Sequence, residues 1–191
     1  MKSGVRMKKT WVYALAWGAA TLVALVLAVV TPRETSLMGR LPSLVAQRLD
    51  RNQPAVNLPE GLPAARTLAL ISFRHSQDPE VESWINGLHL RQDSSISWIR
   101  MAVINDAGGA AHRSAVETHL LSHYPSESER ASLLPVFTDR DAFVRATGVT
   151  GTDQAVVLIL DRHGEVLARA EGMFDPDKGA ALMETLHSDA Y

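Results

Sequence analysis

The sequence contains no cysteine among its 191 residues. Disulfide bonds, thiolate nucleophiles and thiolate metal ligands are therefore all excluded, because each of them needs the cysteine sulfur. The absence does not identify a cellular compartment, since proteins without cysteine occur under oxidising and reducing conditions. Any chemistry of this protein must use other side chains.

The sequence also lacks an excess of positive charge. Its 19 Lys and Arg residues stand against 21 Asp and Glu residues, so the formal net charge is −2. A surface that binds nucleic acid needs a basic stripe to neutralise phosphates. Residues 107–110 (AGGA) have neither the spacing nor the lysine of a phosphate-binding loop. We therefore expect no nucleic-acid partner and no cofactor.

One long apolar run is present near the N-terminus. Residues 11–30, WVYALAWGAATLVALVLAVV, carry no charge, and at about 1.5 Å per residue they span roughly 30 Å, the thickness of a bilayer core. Basic residues are concentrated before the run, at Lys2, Arg6, Lys8 and Lys9. This asymmetry predicts a single-pass helix in the cytoplasmic (inner) membrane, with residues 1–10 inside and the rest on the periplasmic, extracytoplasmic side.

A cleaved signal peptide is the alternative interpretation of this run. Its apolar region is normally about 7–15 residues long and is followed by a site with small residues. The run observed here is longer, and residues 29–32 (VVTP) form a poor cleavage site. We therefore expect a retained membrane anchor.

A linker is predicted over residues 31–64. The segment holds five of the nine prolines, namely Pro32, Pro42, Pro54, Pro59 and Pro63. Their spacing prevents a long helix and favours an extended stalk. A short amphipathic helix around residues 43–49 is the alternative for part of it.

Compact alternating elements follow over residues 65–191. Strands are predicted at residues 67–73, 96–104, 134–137, 155–160 and 165–170, and helices at residues 80–90, 111–124, 138–146 and 175–187. The order β-α-β-α-β-α-β-β-α predicts an α/β domain with helices on both faces of one sheet.

The last hairpin carries a family resemblance. An apolar strand at residues 156–160 is followed by the turn 161–164 (DRHG), a second strand and Gly172, and a short helix before it ends in residues 147–149 (TGV). This order resembles the thioredoxin-like superfamily of the peroxiredoxin and thiol-reductase type, over about residues 65–187. The resemblance implies a three-layer domain with a central mixed sheet.

The redox residues of that superfamily are missing. Its reductases carry Cys-x-x-Cys at the start of the first helix, and those two positions fall on Asp78 and Val81 when counted from Phe73. The proline that faces the two cysteines falls on Ala155 or its neighbour. The resemblance therefore implies the fold without thiol-disulfide exchange or thiol peroxidase activity, and we predict no catalytic residue.

A narrower resemblance is carried by three short motifs. Residues 71–73 (ISF) end the first strand, residues 83–84 (SW) follow on the next helix, and residues 103–105 (VIN) end the second strand. They resemble the mitochondrial ATP synthase assembly factor family. This implies an assembly or chaperone role at a membrane, with a protein partner such as a membrane complex.

Polar side chains follow the first two predicted strands of the domain. Arg74, His75 and Asp78 come after one strand, and Asn105 and Asp106 end the next. Because functional groups of such folds gather at the carboxyl edge of the sheet, these five predict a small polar binding pocket. The alternative is that Asp78 caps a helix while the others are solvated loop residues.

Three histidines share one face of a predicted helix. His112, His119 and His123 lie within about 40° of one another at about 100° per residue, and two imidazoles four residues apart can share a metal ion. A polar stripe is the simpler interpretation. The leading prediction is thus a non-catalytic, membrane-anchored protein-binding module, and the alternatives are metal binding through these histidines or an enzyme with a non-thiol site near His75 and Asp78.

Overall fold

The structure is a computed structural model that describes residues 38–49, 54–106 and 108–188. The predicted N-terminal segment 1–10 and membrane helix 11–30 lie outside these residues. Within the described ranges, no helix is both long enough and apolar enough to cross a membrane.

Seven strands and five α-helices make up the described part of the chain. The strands are β1 (Leu44–Ala46), β2 (Val56–Leu58), β3 (Arg66–Ser72), β4 (Trp98–Asn105), β5 (Leu133–Thr138), β6 (Val156–Asp161) and β7 (Val166–Glu171). The helices are α1 (Asp78–Gly87), α2 (Ala110–His123), α3 (Glu127–Ser132), α4 (Arg140–Thr147) and α5 (Pro176–His187). From β3 onward the predicted order is confirmed, except that the short helix α3 is added before β5.

All seven strands belong to one sheet with the order β2-β1-β5-β4-β3-β6-β7. Strands β3, β4 and β5 run parallel, whereas β6, β7, β1 and β2 are antiparallel to their neighbours. The predicted mixed sheet is therefore confirmed. Because β3 and β4 are parallel, the segments that follow them start at the same edge of the sheet.

Helices cover both faces of this sheet. On one face, Trp84 of α1 and Leu182 of α5 pack against Leu70 of β3. On the other, Phe143 of α4 packs with Ile71 of β3. The continuous apolar run of β3 is explained by this arrangement, since a strand buried on both faces has no polar side.

The prediction that residues 31–64 form a linker is wrong from Met38 onward. Strand β1 pairs with β2 and, through Ala46, with β5, and the nearby Leu41 and Leu58 are buried. The prolines flank these two short strands instead of interrupting them, which edge strands tolerate. Residues 43–49 form no helix, because Leu44 and Ala46 face inward while Val45 between them is 55% exposed.

Candidate functional site

The turn after β3 is fixed by one buried glutamine. The Gln77 side-chain oxygen accepts hydrogen bonds from the backbone N–H groups of Phe73 (2.7 Å) and Arg74 (3.2 Å). Its amide nitrogen donates to the carbonyl of Thr152 at 2.8 Å. The short 3₁₀ turn His75–Gln77 and the start of α1 are therefore held in place from inside the domain.

Asp78 is the first residue of α1, and its side chain bonds to other side chains. Its Oδ1 accepts a hydrogen bond from Arg100 at 2.9 Å, and its Oδ2 accepts one from the Tyr124 hydroxyl at 2.7 Å. Two donors thus orient the carboxylate toward the carboxyl edge of the sheet. The alternative in which Asp78 is a helix cap is wrong, since Gln77 occupies the cap position.

Arg100 supplies a positive charge beneath the site. It lies in the apolar strand β4, and its side chain is only 5% exposed. Besides Asp78, its guanidinium donates to Glu82 at 3.1 Å and to the Tyr124 hydroxyl at 3.0 Å. A buried charge is tolerated when it is paired and hydrogen-bonded in this way.

Tyr124 directly follows α2 and closes the network. Burial raises the pKa of its hydroxyl, and the hydrogen bond to Asp78 adds to this effect. At neutral pH the phenol is protonated and donates to the carboxylate.

Two histidines approach the same carboxylate oxygen. His75 Nδ1 lies 2.9 Å from Asp78 Oδ2, and His123 Nε2 lies 3.5 Å from it. The two rings meet edge to face with centroids 3.8 Å apart. One ligand atom from each of His75, Asp78 and His123 lies within 4.8 Å of the other two.

A third histidine borders this cluster. His119 lies one turn before His123 on α2, and the two rings are nearly parallel, with centroids 6.4 Å apart. Its centroid is 6.2 Å from that of His75. Of the histidines predicted as a stripe, His119 and His123 therefore come to the cluster.

A cavity of about 160 Å³ opens beside these side chains. Its polar wall holds the three histidines and Asp78. Its apolar wall consists of the residue after β3 and side chains of β4 and α2, among them Phe73, Val103, Ile104, Val116 and Leu120. The cavity has the size of a site for an ion with a few small ligands and not for a large organic cofactor.

Other predicted site residues lie elsewhere. Arg74 borders the cavity, but its guanidinium pairs with the exposed Asp153 at 2.8 Å. Asp106 pairs with Arg113 of α2. Neither Asn105, Asp106 nor His112 belongs to the cavity wall.

The sequence analysis did not identify Arg100, Tyr124 or Gln77 as part of the site. Arg100 carried a usable signal, because it is a single charged residue within the apolar strand WIRMAVIN. Such a charge needs a buried partner. The other two residues gave no comparable signal, since a tyrosine after a helix and a glutamine before one are common.

By the resemblance, the proline of the superfamily's redox site falls on Ala155 or its neighbour, and neither residue is a proline. Ala155, directly before β6, donates its backbone N–H to Glu80 Oε2 at 2.6 Å. A proline at this position would have no N–H to donate. The bond connects the first turn of α1 to the start of β6, and a proline at residue 155 would remove it.

The chemistry of the cluster suits a metal ion. Imidazole nitrogen and carboxylate oxygen together bind Zn²⁺, Cu²⁺ and Ni²⁺, whereas Cu⁺ prefers sulfur ligands. Three such ligand atoms converge at a partly open cavity. The residues present therefore fit a divalent transition metal.

Sequence comparisons identify no relative. The chain matches no protein-family model and none of the curated proteins. The narrower resemblance to mitochondrial ATP synthase assembly factors therefore stays a prediction.

Solved structures are similar in fold. Yeast Sco1 with copper bound has 14% identity and a TM-score of 0.51, over 80% of this chain and 94% of that one. BsSco, of the Sco family of cytochrome c oxidase assembly proteins, has 13% identity and a TM-score of 0.50, over 78% and 93%. A protein from Neisseria meningitidis described as a candidate thioredoxin has 15% identity and a TM-score of 0.50, over 80% and 94%. The fold is thioredoxin-like, as predicted.

Proposed function

We propose that this protein is a membrane-anchored, thioredoxin-like protein that binds a divalent transition-metal ion and takes part in assembling a membrane complex. The observation that carries metal binding is the convergence of His75, Asp78 and His123, whose ligand atoms lie within 4.8 Å of one another. Thiol chemistry is excluded because the chain has no cysteine.

The distances in the cluster are close to those of a loaded site. Metal–ligand bonds of about 2.0–2.2 Å in tetrahedral geometry place two ligand atoms roughly 3.3–3.6 Å apart. Asp78 Oδ2 lies 3.5 Å from His123 Nε2 and 2.9 Å from His75 Nδ1. Metal binding therefore needs His75 Nδ1 to move outward by roughly half an ångström, and both histidine rings are exposed enough to turn.

Asp78 can bind a metal without losing its hydrogen bonds to Arg100 and Tyr124. A carboxylate oxygen has two lone pairs, so Oδ2 can accept the Tyr124 proton and still face an ion. Arg100 holds the other oxygen. Outer partners of this kind orient a ligating carboxylate, and their loss typically weakens metal binding about 10–100-fold.

The assembly role is supported by the structural neighbours and the predicted anchor together. BsSco belongs to a family of assembly proteins, and yeast Sco1 was solved with copper. Residues 11–30 would hold the domain at the extracytoplasmic face of the cytoplasmic membrane. The domain would contact its partner protein there. The ligands here differ from a thiolate copper site, so we expect Zn²⁺ or Cu²⁺ as the bound ion.

Isothermal titration of the full-length protein in mild detergent tests metal binding. We expect one Zn²⁺ or Cu²⁺ per chain, and a large loss of affinity in His75→Ala, His123→Ala and Asp78→Asn. The asparagine keeps an acceptor for Arg100 and so protects the fold.

His112→Ala is the matched control for this titration, since His112 lies on the same helix but outside the cavity wall. Equal affinity in all four variants and the unaltered protein would place the metal elsewhere and refute the proposal.

A further inference from the structure

We propose that His119 is a fourth protein ligand of the metal, and that metal binding thereby fastens helix α2 to the carboxyl edge of the sheet. The inference rests on the proposed metal site of His75, Asp78 and His123. It assigns that site a closed ligand set and a conformational consequence.

Helix α2 is held weakly by its own packing. None of its residues is buried, whereas α1, which is shorter, buries Val81, Trp84 and Ile85. Most helical stability in proteins comes from burying an apolar face. A helix with few buried contacts opens locally at low cost in free energy, so an added ligand can stabilise α2.

The position of His119 suits a shared ion. In a tetrahedral site, two imidazole rings bound to one ion have centroids roughly 5 Å apart, given metal–nitrogen bonds of about 2.0–2.1 Å. The His119 centroid lies 6.2 Å from that of His75 and 6.4 Å from that of His123. His119 therefore needs to approach by roughly 1 Å, which a rotation of its exposed side chain provides.

The rings of His75 and His123 would also have to move to share one tetrahedral ion. Their centroids are 3.8 Å apart, which is closer than two rings on one tetrahedral ion, so they must part by roughly 1 Å when the ion enters. The three rings would then stand at similar distances from one another, with Asp78 as the fourth corner.

The ligand number decides what kind of site results. Four protein ligands make a closed, structural type of site, while three leave a position open for water or substrate. The ligands of the closed set come from two places in the chain, the turn before α1 together with the first residue of α1, and the last two turns of α2. One ion would therefore connect both segments.

By mass action, metal binding would also reduce the fraction of molecules in which α2 is open. If only the closed form has all four ligands, an ion at 100 times its dissociation constant reduces the open population about 100-fold. The outer face of α2 would then open less often in the metal-loaded protein.

The test uses the full-length protein in mild detergent, with Zn²⁺ for affinity and Co²⁺ as a spectroscopic probe. We expect His119→Ala to weaken Zn²⁺ binding by at least about 10-fold, the lower end of what even an outer-shell partner contributes. The Co²⁺ visible bands should lose the intensity that marks tetrahedral coordination. His112→Ala should bind and absorb like the unaltered protein.

Hydrogen exchange of the α2 amides tests the fastening separately, because an ion that binds without holding α2 would leave these exchange rates unchanged. We expect Zn²⁺ to slow exchange of the α2 amides in the unaltered protein and in His112→Ala, but far less in His119→Ala. Unchanged affinity and unchanged Co²⁺ bands in His119→Ala would overturn the fourth ligand while leaving the three-residue site intact. If His119→Ala loses Zn²⁺ affinity as expected but Zn²⁺ does not protect the α2 amides of the unaltered protein, the fastening is overturned. If the unaltered protein binds no Zn²⁺, both proposals are overturned.

Discussion

The Arg100 guanidinium donates to Asp78 Oδ1 at 2.9 Å and joins the second strand of the parallel set to the start of α1. The arginine side chain is 5% exposed and that of the aspartate 17%. This buried pair sets the direction of the carboxylate that we assign as a metal ligand. It also makes the site a contributor to the stability of the domain.

Arg100→Met should destabilise the protein by about 3 kcal/mol, because removing one partner of a buried pair leaves the other charge uncompensated. The partial exposure of Asp78 keeps the loss at the low end of the usual range. Urea unfolding measures it. Arg91→Ala is the control, since Arg91 also pairs with Glu82 but is exposed, and it should cost less than about 1 kcal/mol. Equal losses in both variants would contradict the assigned role of Arg100.

Tyr124→Phe should cost about 1–3 kcal/mol at neutral pH, since the hydroxyl is buried and bonded to Asp78 and Arg100. The same change should alter the pH dependence of stability. Burial raises the pKa of Tyr124 in the folded state above its unfolded value.

The sign of this pH effect follows from the raised pKa. Above the unfolded pKa of about 10, the unfolded chain loses the phenolic proton while the folded protein keeps it. The contribution of Tyr124 is therefore complete below about pH 10 and declines as the pH rises further. Unfolding free energies at pH 8, 10 and 11.5 should show the gap between the unaltered protein and Tyr124→Phe narrowing above pH 10. A gap that widens there would contradict this account.

Gly148→Ala should destabilise the domain by about 1–2 kcal/mol or more. Gly148 ends α4 with φ of 70°, and a Cβ there would lie 2.4 Å from the Met38 carbonyl oxygen, so both the left-handed backbone and the close approach oppose it. Gly151→Ala is the control because nothing lies within 4 Å of its added Cβ. Thermal unfolding that is equally affected by both would argue against the close approach of Met38 to the end of α4.

The assembly role predicts a specific partner. In-cell crosslinking of the full-length protein followed by mass spectrometry should enrich one membrane complex or its unassembled subunits. The enrichment should disappear when the chain is ended after residue 37, which retains only the predicted anchor. Recovery of the same proteins with the shortened chain would mean that the anchor alone accounts for them.

Much of the fold was predictable because its signals are local. The apolar run of β3, the hairpin of β6 and β7, and the Asp-Pro start of α1 all report burial or turn geometry within a few residues. The hairpin of β1 and β2 was missed because three-residue strands have too short a pattern. Their prolines indicated a break in helix but did not distinguish an edge strand from a linker.

The site was predictable only in part, since its members meet in space. His75 and Asp78 were found because they follow a strand at the carboxyl edge of the sheet. His123 and Tyr124 join them only through the placement of α2, and no local pattern encodes that contact. Asn105 and Asp106 lie outside the cavity wall, and Arg113 takes up the Asp106 carboxylate.

X-ray absorption at the zinc edge of the loaded full-length protein tests the central claim most directly. The account predicts one shell of nitrogen and oxygen at about 2.0–2.1 Å, with outer-shell scattering from at least two imidazoles that is strongly reduced in the His75→Ala, His123→Ala double variant. A shell of water-like oxygens, or imidazole scattering that is undiminished in the double variant, would contradict it.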